Sequence, residues 1–194
     1  MNNLEPEHLP IDQSEKNSVH ISSITTLGEY RNPVVQRLVK ELKFHHAALV
    51  AQELGSLLAD VLKQSLPAMI ESGALLMPIP LHSRRKRERG FNQAALLAHA
   101  IEKALPEHTL VVNEDMLIRT KHTVSQTTLE DEQRQKNVSG VFAVSKKSLP
   151  SLSGATIILV DDVITTGATI QEAAGVLAAL QPRIIHTVAI ARGR

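Results

Sequence analysis

Two adjacent carboxylates and a threonine-glycine loop are the residues of this chain best suited to chemistry. Asp161 and Asp162 follow the apolar run from Ile157 to Val160, and a short stretch of small and hydroxylated residues comes next. The members of that stretch are Thr165, Thr166, Gly167, Ala168 and Thr169. Hydroxyl and backbone N–H donors bind phosphate, whereas a carboxylate pair accepts hydrogen bonds from vicinal hydroxyls and binds a divalent cation. The pattern therefore predicts a site for a phosphorylated sugar and a divalent cation.

A buried strand and a helix are predicted to position these residues. Residues 156–160 are apolar without alternation, which is typical of a strand covered on both faces of a parallel sheet. Beyond the loop, an apolar face recurs at helical spacing, formed by Ile170, Ala173, Ala174 and Leu177. A helix is therefore predicted to begin near Ala168, with its first N–H groups facing the strand end as an anion site. Gly167 can adopt positive φ and lets the backbone approach a phosphate.

A bare Asp-Asp pair is compatible with two other structures. One is a surface turn whose acids cap a helix, and the unbroken order of strand, acids, Thr-Thr-Gly-x-Thr loop and amphipathic helix argues against it. The other is a receiver domain, whose first strand also ends in paired acids. In that domain the phosphoacceptor aspartate lies on a later strand, and no aspartate follows Asp162 in this chain. We therefore reject the receiver interpretation.

The run from Ile157 to Thr169 resembles the phosphoribosyl pyrophosphate (PRPP) signature of the type I phosphoribosyltransferases. The resemblance implies that Asp161 and Asp162 hold the ribose 2′- and 3′-hydroxyls together with Mg²⁺. It also implies that residues 165–169 hold the 5′-phosphate. Purine-salvage members place an acid where Thr165 stands, so the resemblance does not extend to their route of base transfer.

A cluster of cations follows the first predicted core strand, residues 74–79. Five cations occupy six positions, namely Arg84, Arg85, Lys86, Arg87 and Arg89. The cluster leaves the carboxyl end of a strand, the edge where ligands bind in open α/β folds. Because arginine presents a fork of donors that matches phosphate oxygens, we expect a loop that neutralises pyrophosphate. The alternative is a solvated basic loop without a ligand.

Several further stretches are similar to the ComF/GntX family of competence-associated, phosphoribosyltransferase-like proteins, over about residues 29 to 192. They include Pro78-Ile-Pro80-Leu, the specific run Arg87-Glu-Arg-Gly-Phe-Asn-Gln-Ala94 and Arg134-x-x-Asn137. The resemblance implies a pyrophosphate loop, with a basic extension, at Leu81, His82, Ser83, Arg84, Arg87 and Arg89. It also implies a mobile lid that carries Arg119, Lys121, Thr123, Gln126 and Arg134. Many members begin with a cysteine-rich zinc module, but this chain has no cysteine, so we expect no zinc site of that kind.

Composition and patterning predict the overall architecture. With 194 residues, 43% hydrophobic and 2% aromatic, the chain predicts one domain with an aliphatic core. Strands alternate with helices, which indicates an α/β fold with a mostly parallel central sheet and helices on both faces, as in type I phosphoribosyltransferases. Residues 1–28 are polar and predicted to be loosely structured, apart from an optional edge strand at 19–27, and residues 29–194 form the phosphoribosyltransferase domain. Without an apolar run of membrane-spanning length or a signal peptide, we expect no membrane insertion and a cytoplasmic protein.

Two function classes remain open at this point. The first is an enzyme that binds PRPP with Mg²⁺ and transfers phosphoribosyl to an unidentified nitrogen acceptor, which would place it in nucleoside metabolism. The second is a catalytically weak or inactive accessory module of DNA uptake or utilisation, with single-stranded DNA or a competence protein as its partner. The net charge of +1 predicts no strong global field, so any nucleic-acid affinity must come from a local patch. No catalytic residue is assigned.

Overall fold

The computed structural model describes residues 7–10, 21–44, 47–107, 109–120, 140–145 and 153–193. Its strands are β1 (Glu7–Pro10), β2 (Ile21–Glu29), β3 (Ala74–Pro78), β4 (Leu110–Val112), β5 (Leu117–Arg119), β6 (Phe142–Val144), β7 (Thr156–Ile164) and β8 (Ile184–Arg192). Its helices are α1 (Pro33–Glu41), α2 (Ala47–Ser65), α3 (Pro67–Ser72), α4 (Ser83–Arg89), α5 (Gln93–Ala104) and α6 (Ala168–Ala178).

Six strands form one sheet in the order β1-β2-β8-β7-β3-β4. β1 runs antiparallel to β2, and every other neighbouring pair in this sheet is parallel. The predicted α/β class with a mostly parallel sheet is therefore confirmed. Because the parallel strands point the same way, their carboxyl ends meet at one edge of the sheet. The antiparallel pair β5–β6 forms a separate small sheet.

The apolar core lies on both faces of the main sheet. On one face, buried residues of α1, α2, α3 and α5 pack against one side of β3, β7 and β8. On the other face, α6 and the β5–β6 pair pack against the opposite side of the same strands. β7 is buried on both faces, since Ile157, Ile158, Leu159 and Val160 have no measurable exposure. That double burial explains the continuous apolar run in its sequence.

The amino-terminal boundary of the fold differs from the prediction. β2 begins at Ile21 and lies between β1 and β8, so residues 21–28 belong to the sheet and not to a loosely structured segment. The strand predicted at residues 19–27 exists, but it is an internal strand. Its polar members Ser23, Thr25 and Thr26 are buried, and Ser23 Oγ lies 2.7 Å from His186 Nδ1 of β8. These buried polar residues made the segment resemble an exposed one in the sequence.

The basic stretch after β3 is a helix, not a loop. In α4, His82 caps the first turn by accepting from the Arg84 N–H at 3.2 Å. The Arg84 Nε lies 2.9 Å from Glu88 Oε1, one turn later, and Gly90 ends the helix in a left-handed conformation. A single acid at the correct spacing and two caps are therefore sufficient to form one short helix from a cationic sequence.

A histidine joins α5 to the chain between β4 and β5. His99 Nε2 lies 2.9 Å from Glu114 Oε1, and His99 Nδ1 lies 3.3 Å from Glu102 Oε2. The other oxygen of Glu102 accepts the Val112 N–H of β4 at 2.9 Å. His99 therefore lies between two carboxylates that belong to different elements.

A helix that spans a membrane must be both long and apolar. Across the described segments, no helix combines the length and apolar character that a bilayer span requires.

Candidate functional site at the carboxyl edge of the sheet

The acid pair lies on β7 itself, close to its carboxyl end. The strand continues to Ile164, and Asp161 pairs in register with Ala189 of β8. The predicted strand ended at Val160, and the observed one is longer because β8 continues beside it as far as Arg192. The Asp162 N–H donates to Asp161 Oδ1 at 2.8 Å. The pair is thus held rigidly where the parallel strands end.

The electrostatic environment of the pair favours cationic neighbours. Burial of the Asp161 carboxyl raises its pKa well above the ordinary value, and the negative charge of Asp162 raises it further. The backbone N–H of Asp162 and the ammonium of Lys43 act in the opposite direction and lower this pKa. Two carboxylates this close together remain charged only when cations compensate them.

The predicted phosphate loop connects β7 to α6. Gly167 has φ 79° and ψ −5°, the left-handed conformation that favours glycine, and α6 begins at Ala168 as the sequence predicted. The loop is partly open to solvent, since Thr165, Ala168 and Thr169 are half-buried and Thr166 is exposed. Gly167, the N-cap residue of α6, has no side chain with which to cap the helix, and the first N–H, that of Ala168, donates to Thr166 Oγ1 at 3.4 Å. This arrangement offers an anion several donors from one short segment.

The helix α4 presents its cations in two directions. Arg85 and Arg89 are one helical turn apart and half-buried, and their charges influence each other. Arg84, Lys86 and Arg87 are exposed, and Arg84 is paired with Glu88. We call Arg85 and Arg89 the inner cations, and Arg84, Lys86 and Arg87 the outer cations. Leu81 and His82, just before the helix, are half-buried, and Ser83 is exposed.

Arg89 and Arg119 lie within electrostatic range of the acids. Burial lowers the pKa of Arg89, while the charge of Asp162 raises it. Burial and the charge of Arg85 lower the pKa of Arg119, and the charge of Asp161 raises it. Two arginines from two elements therefore interact electrostatically with the acid pair, and Arg85 lies within electrostatic range of both.

β5 and β6 position Arg119 at this edge. Its guanidinium carbon lies 5.6 Å from the centroid of the Phe142 ring on the paired strand, a cation–π contact. The next residue, Thr120, donates its N–H to the Val141 carbonyl at 2.8 Å and thereby extends the pairing. The other residues predicted to form a lid lie outside the described residues, namely Lys121, Thr123, Gln126 and Arg134.

Two basic residues of this region, Arg85 and Lys43, are missing from the sequence-based site. Arg85 was grouped with the basic stretch but not selected, because a loop prediction gives no basis for choosing a face. A helical prediction would have separated Arg85 and Arg89 from their neighbours by their spacing. Lys43, whose Nζ lies 3.3 Å from Asp162 Oδ2, comes from the turn after α1. No local signal links a lysine there to a carboxylate on β7.

Asn92 connects α5 to the same edge of the sheet. Its Nδ2 donates to the Ile79 carbonyl at 3.1 Å, and its Oδ1 accepts the Ala94 N–H at 3.2 Å. The side chain is buried, as is that of Gln93. Asn92 is thus an architectural residue, because it fixes the start of α5 beside the end of β3.

Comparisons with known proteins identify a domain family and several relatives of this chain. The phosphoribosyl transferase domain family matches residues 94–194. Competence protein F of Haemophilus influenzae is 31% identical over 169 residues, which cover 86% of this chain and 71% of that protein. The DNA utilization protein YhgH of Escherichia coli strain K12 is 29% identical over 171 residues, covering 88% of this chain and 72% of that protein.

Competence protein ComFC of Bacillus subtilis is also similar, with 29% identity over 143 residues, 74% of this chain and 53% of that protein. Lys43, Arg85 and Arg89 all precede the region that the domain family matches. These relatives nevertheless extend across that region, since the alignments cover most of the chain. The chain belongs to the ComF family of proteins with a phosphoribosyl transferase domain.

Proposed function

We propose that the protein binds PRPP or another phosphoribosyl ligand together with Mg²⁺ and transfers phosphoribosyl to a nitrogen acceptor. The observation that carries the proposal is the convergence of three groups at one edge of the sheet. These groups are the acid pair of β7, the loop at the start of α6, and the arginines of α4 and β5. Each group matches one part of the ligand, namely the ribose hydroxyls, the 5′-phosphate and the pyrophosphate.

The donor chemistry of the acid pair fits Mg²⁺. Mg²⁺ prefers carboxylate and phosphate oxygens, and Asp161 and Asp162 supply carboxylate oxygens beside the predicted ribose position. When bound with the ligand, Mg²⁺ would neutralise charge on the pyrophosphate oxygens. The side chains that would hold it are those of Asp161 and Asp162.

The arginines would act on the leaving group. In phosphoribosyl transfer, the acceptor nitrogen attacks C1, and the bond between C1 and the pyrophosphate oxygen breaks, so that pyrophosphate leaves with the electron pair. The pyrophosphate gains negative charge in this step, and positioned cations stabilise that charge most strongly in a site shielded from water. Arg85, Arg89 and Arg119 are half-buried, and Arg89 and Arg119 lie within electrostatic range of the acids, which suits this role.

Titration calorimetry with PRPP in the presence of Mg²⁺ tests the proposal. We expect saturable binding that the double substitution Asp161→Asn with Asp162→Asn weakens far more for PRPP than for inorganic phosphate. The reason is that the carboxylates accept from ribose hydroxyls, which inorganic phosphate lacks. Equal losses for both ligands would count against the ribose assignment, and lack of PRPP binding to the unmodified protein would refute the proposal.

The outer cations of α4 favour a second candidate function. Arg84, Lys86 and Arg87 are exposed to solvent and could contact the phosphates of single-stranded DNA. The names of the relatives, competence protein F and DNA utilization protein, agree with an accessory role in DNA uptake or utilisation. The chain has no tryptophan, three phenylalanines and one tyrosine, so it has few aromatic side chains on which bases could stack. Such DNA binding would therefore be weak and independent of sequence.

A further inference from the structure

Lys43 is a cation that the fold delivers to the acid pair from a distant part of the chain. It lies in the turn between α1 and α2, where its own N–H bonds to the Lys40 carbonyl at 2.9 Å. The preceding residue, Leu42, is completely buried and anchors the turn. The Lys43 Nζ lies 3.3 Å from Asp162 Oδ2, and the two side chains are 35% and 19% exposed. The turn therefore holds the ammonium at Asp162 although part of the lysine remains accessible to solvent.

The charges around the acid pair are already compensated in the free protein. Asp162 has the Lys43 ammonium in contact and the Arg89 guanidinium within electrostatic range, and Asp161 has the Arg119 guanidinium within that range. A divalent cation placed on Asp162 would stand next to the ammonium of Lys43 and would be repelled by it. A polyanionic ligand changes this balance, because it brings enough negative charge for a metal ion and the protein cations together.

We propose that Lys43 is the resident counter-cation of the acid pair, which occupies Asp162 in the free protein and prevents a divalent cation from binding there. This inference deepens the proposed function, since it concerns how the same acid pair is used. It adds to the site a residue that lies outside the matched phosphoribosyl transferase domain.

A purely structural role for Lys43 predicts a different result when the residue is replaced. If the contact merely fastens the turn after α1 to β7, removing the ammonium loosens the turn and leaves the affinity for metal ions unchanged. If Lys43 is the counter-cation, removing its charge opens Asp162 to a divalent cation. A substitution of Lys43 that retains the positive charge keeps the divalent cation from binding to Asp162.

The test measures Mn²⁺ binding to the free protein by electron paramagnetic resonance, without any phosphoribosyl ligand. The variants are Lys43→Met, Lys43→Arg and Lys40→Met. Lys40 is exposed near the end of α1 and serves as a control with the same change in net charge. We expect Lys43→Met to bind Mn²⁺ at least about tenfold more tightly than the unmodified protein, because one adjacent positive charge is gone. Lys43→Arg and Lys40→Met should match the unmodified protein.

Adding Asp162→Asn to Lys43→Met should remove the gain, which locates the new metal site at the acid pair. Lys43→Gln is the second variant if the methionine variant does not fold. An affinity for Mn²⁺ that is the same in all folded variants would overturn the proposal, and so would a gain that Lys43→Arg or Lys40→Met also shows. Since no phosphoribosyl ligand is present, failure of PRPP to bind would refute the proposed function and leave the Mn²⁺ result intact.

Discussion

Gly55 of α2 and Ala100 of α5 meet so closely that a Cβ atom on Gly55 would lie 2.3 Å from the Ala100 Cβ. The same atom would lie 2.9 Å from the Ala100 backbone carbon, which cannot move as a side chain could. Close approach of the two helices therefore depends on the missing side chain. This contact stabilises the helical layer behind the strands that carry the acid pair.

We predict that Gly55→Ala destabilises the protein by about 1–3 kcal/mol, because overpacking outweighs the better helix propensity of alanine. Urea unfolding followed by circular dichroism measures the loss. Gly175, exposed in α6, is the matched control, and Gly175→Ala should stabilise the protein by up to about 1 kcal/mol. Adding Ala100→Gly to Gly55→Ala should recover part of the lost stability, and no recovery would show that the clash lies elsewhere.

Gly167 is predicted to matter for ligand binding beyond its effect on stability. A Cβ at Gly167 would meet no atom within 4 Å, so a substitution strains the backbone and projects into the open space of the loop. Gly154 has nearly the same φ, 77° against 79°, and equally open surroundings, but it lies outside the site. Gly167→Ala and Gly154→Ala should each cost about 1–2 kcal/mol of stability. Calorimetry should show weaker phosphate binding for Gly167→Ala alone, and equal affinities would contradict the phosphate assignment.

Replacing the inner cations and replacing the outer cations of α4 should have different effects on ligand binding. Replacing the inner cations, as Arg85→Gln with Arg89→Gln, should weaken PRPP binding at least about tenfold, or roughly 1.4 kcal/mol. Replacing Arg84 and Arg87 by Gln should leave PRPP binding within about twofold. The same outer pair should lower single-stranded DNA affinity, with a salt slope of about −0.7 per phosphate neutralised. A strong loss of PRPP binding from the outer pair would show that the helix turns its other face to the ligand.

The environment of His99 predicts that the stability of the folded protein depends on pH. Although burial lowers the pKa of His99, its hydrogen bonds with Glu114 and Glu102 and their negative charges raise it above the ordinary 6.5. A raised pKa means that the folded protein binds the proton more tightly than the unfolded chain does. The contribution of His99 is therefore fully present below about pH 6.5 and is lost as the pH rises through the raised value.

Thermal unfolding of the unmodified protein and of His99→Gln, recorded from pH 5.5 to pH 8, checks this sign. The unmodified protein should have the higher melting temperature at the acidic end, and the difference should shrink toward pH 8. A difference that stays constant across the range would contradict a charged histidine between Glu102 and Glu114.

Sequence patterns predicted the elements whose periodicity is strong. The continuous apolar run of β7 and the helix beginning at Ala168 correspond to observed elements, and α1 begins where Asn32 caps a helix whose first residue is Pro33. Those signals are local, because burial on two faces, a cap and a helical apolar face each leave a pattern within a dozen residues. β2 lacks such a pattern, since its burial depends on β1 and β8, which are distant in sequence.

Part of the candidate site could likewise be predicted from local sequence patterns, and part could not. The acid pair and its loop are contiguous, so a sequence motif describes them completely. The cations come from three separate elements, and which of them face the acids depends on the helical state of α4 and on the path of the turn after α1. Lys43 in particular becomes a site residue through a tertiary contact with Asp162 that its neighbours in sequence do not indicate.

The central position of β8 in the sheet affects how the chain folds while it is being synthesised. β8 is central, between β2 and β7, although it is the last strand in the order of translation. Until residues 184–192 have emerged, β1-β2 and β7-β3-β4 are two fragments, each with an unpaired edge of backbone N–H and C=O groups. Such edges recruit strands from other chains, so a nascent chain of this topology is exposed to aggregation until its last strand is made. Strand pairings between segments that are distant in sequence form slowly. We therefore expect the insertion of β8 between β2 and β7 to be the step at which chaperones protect the protein.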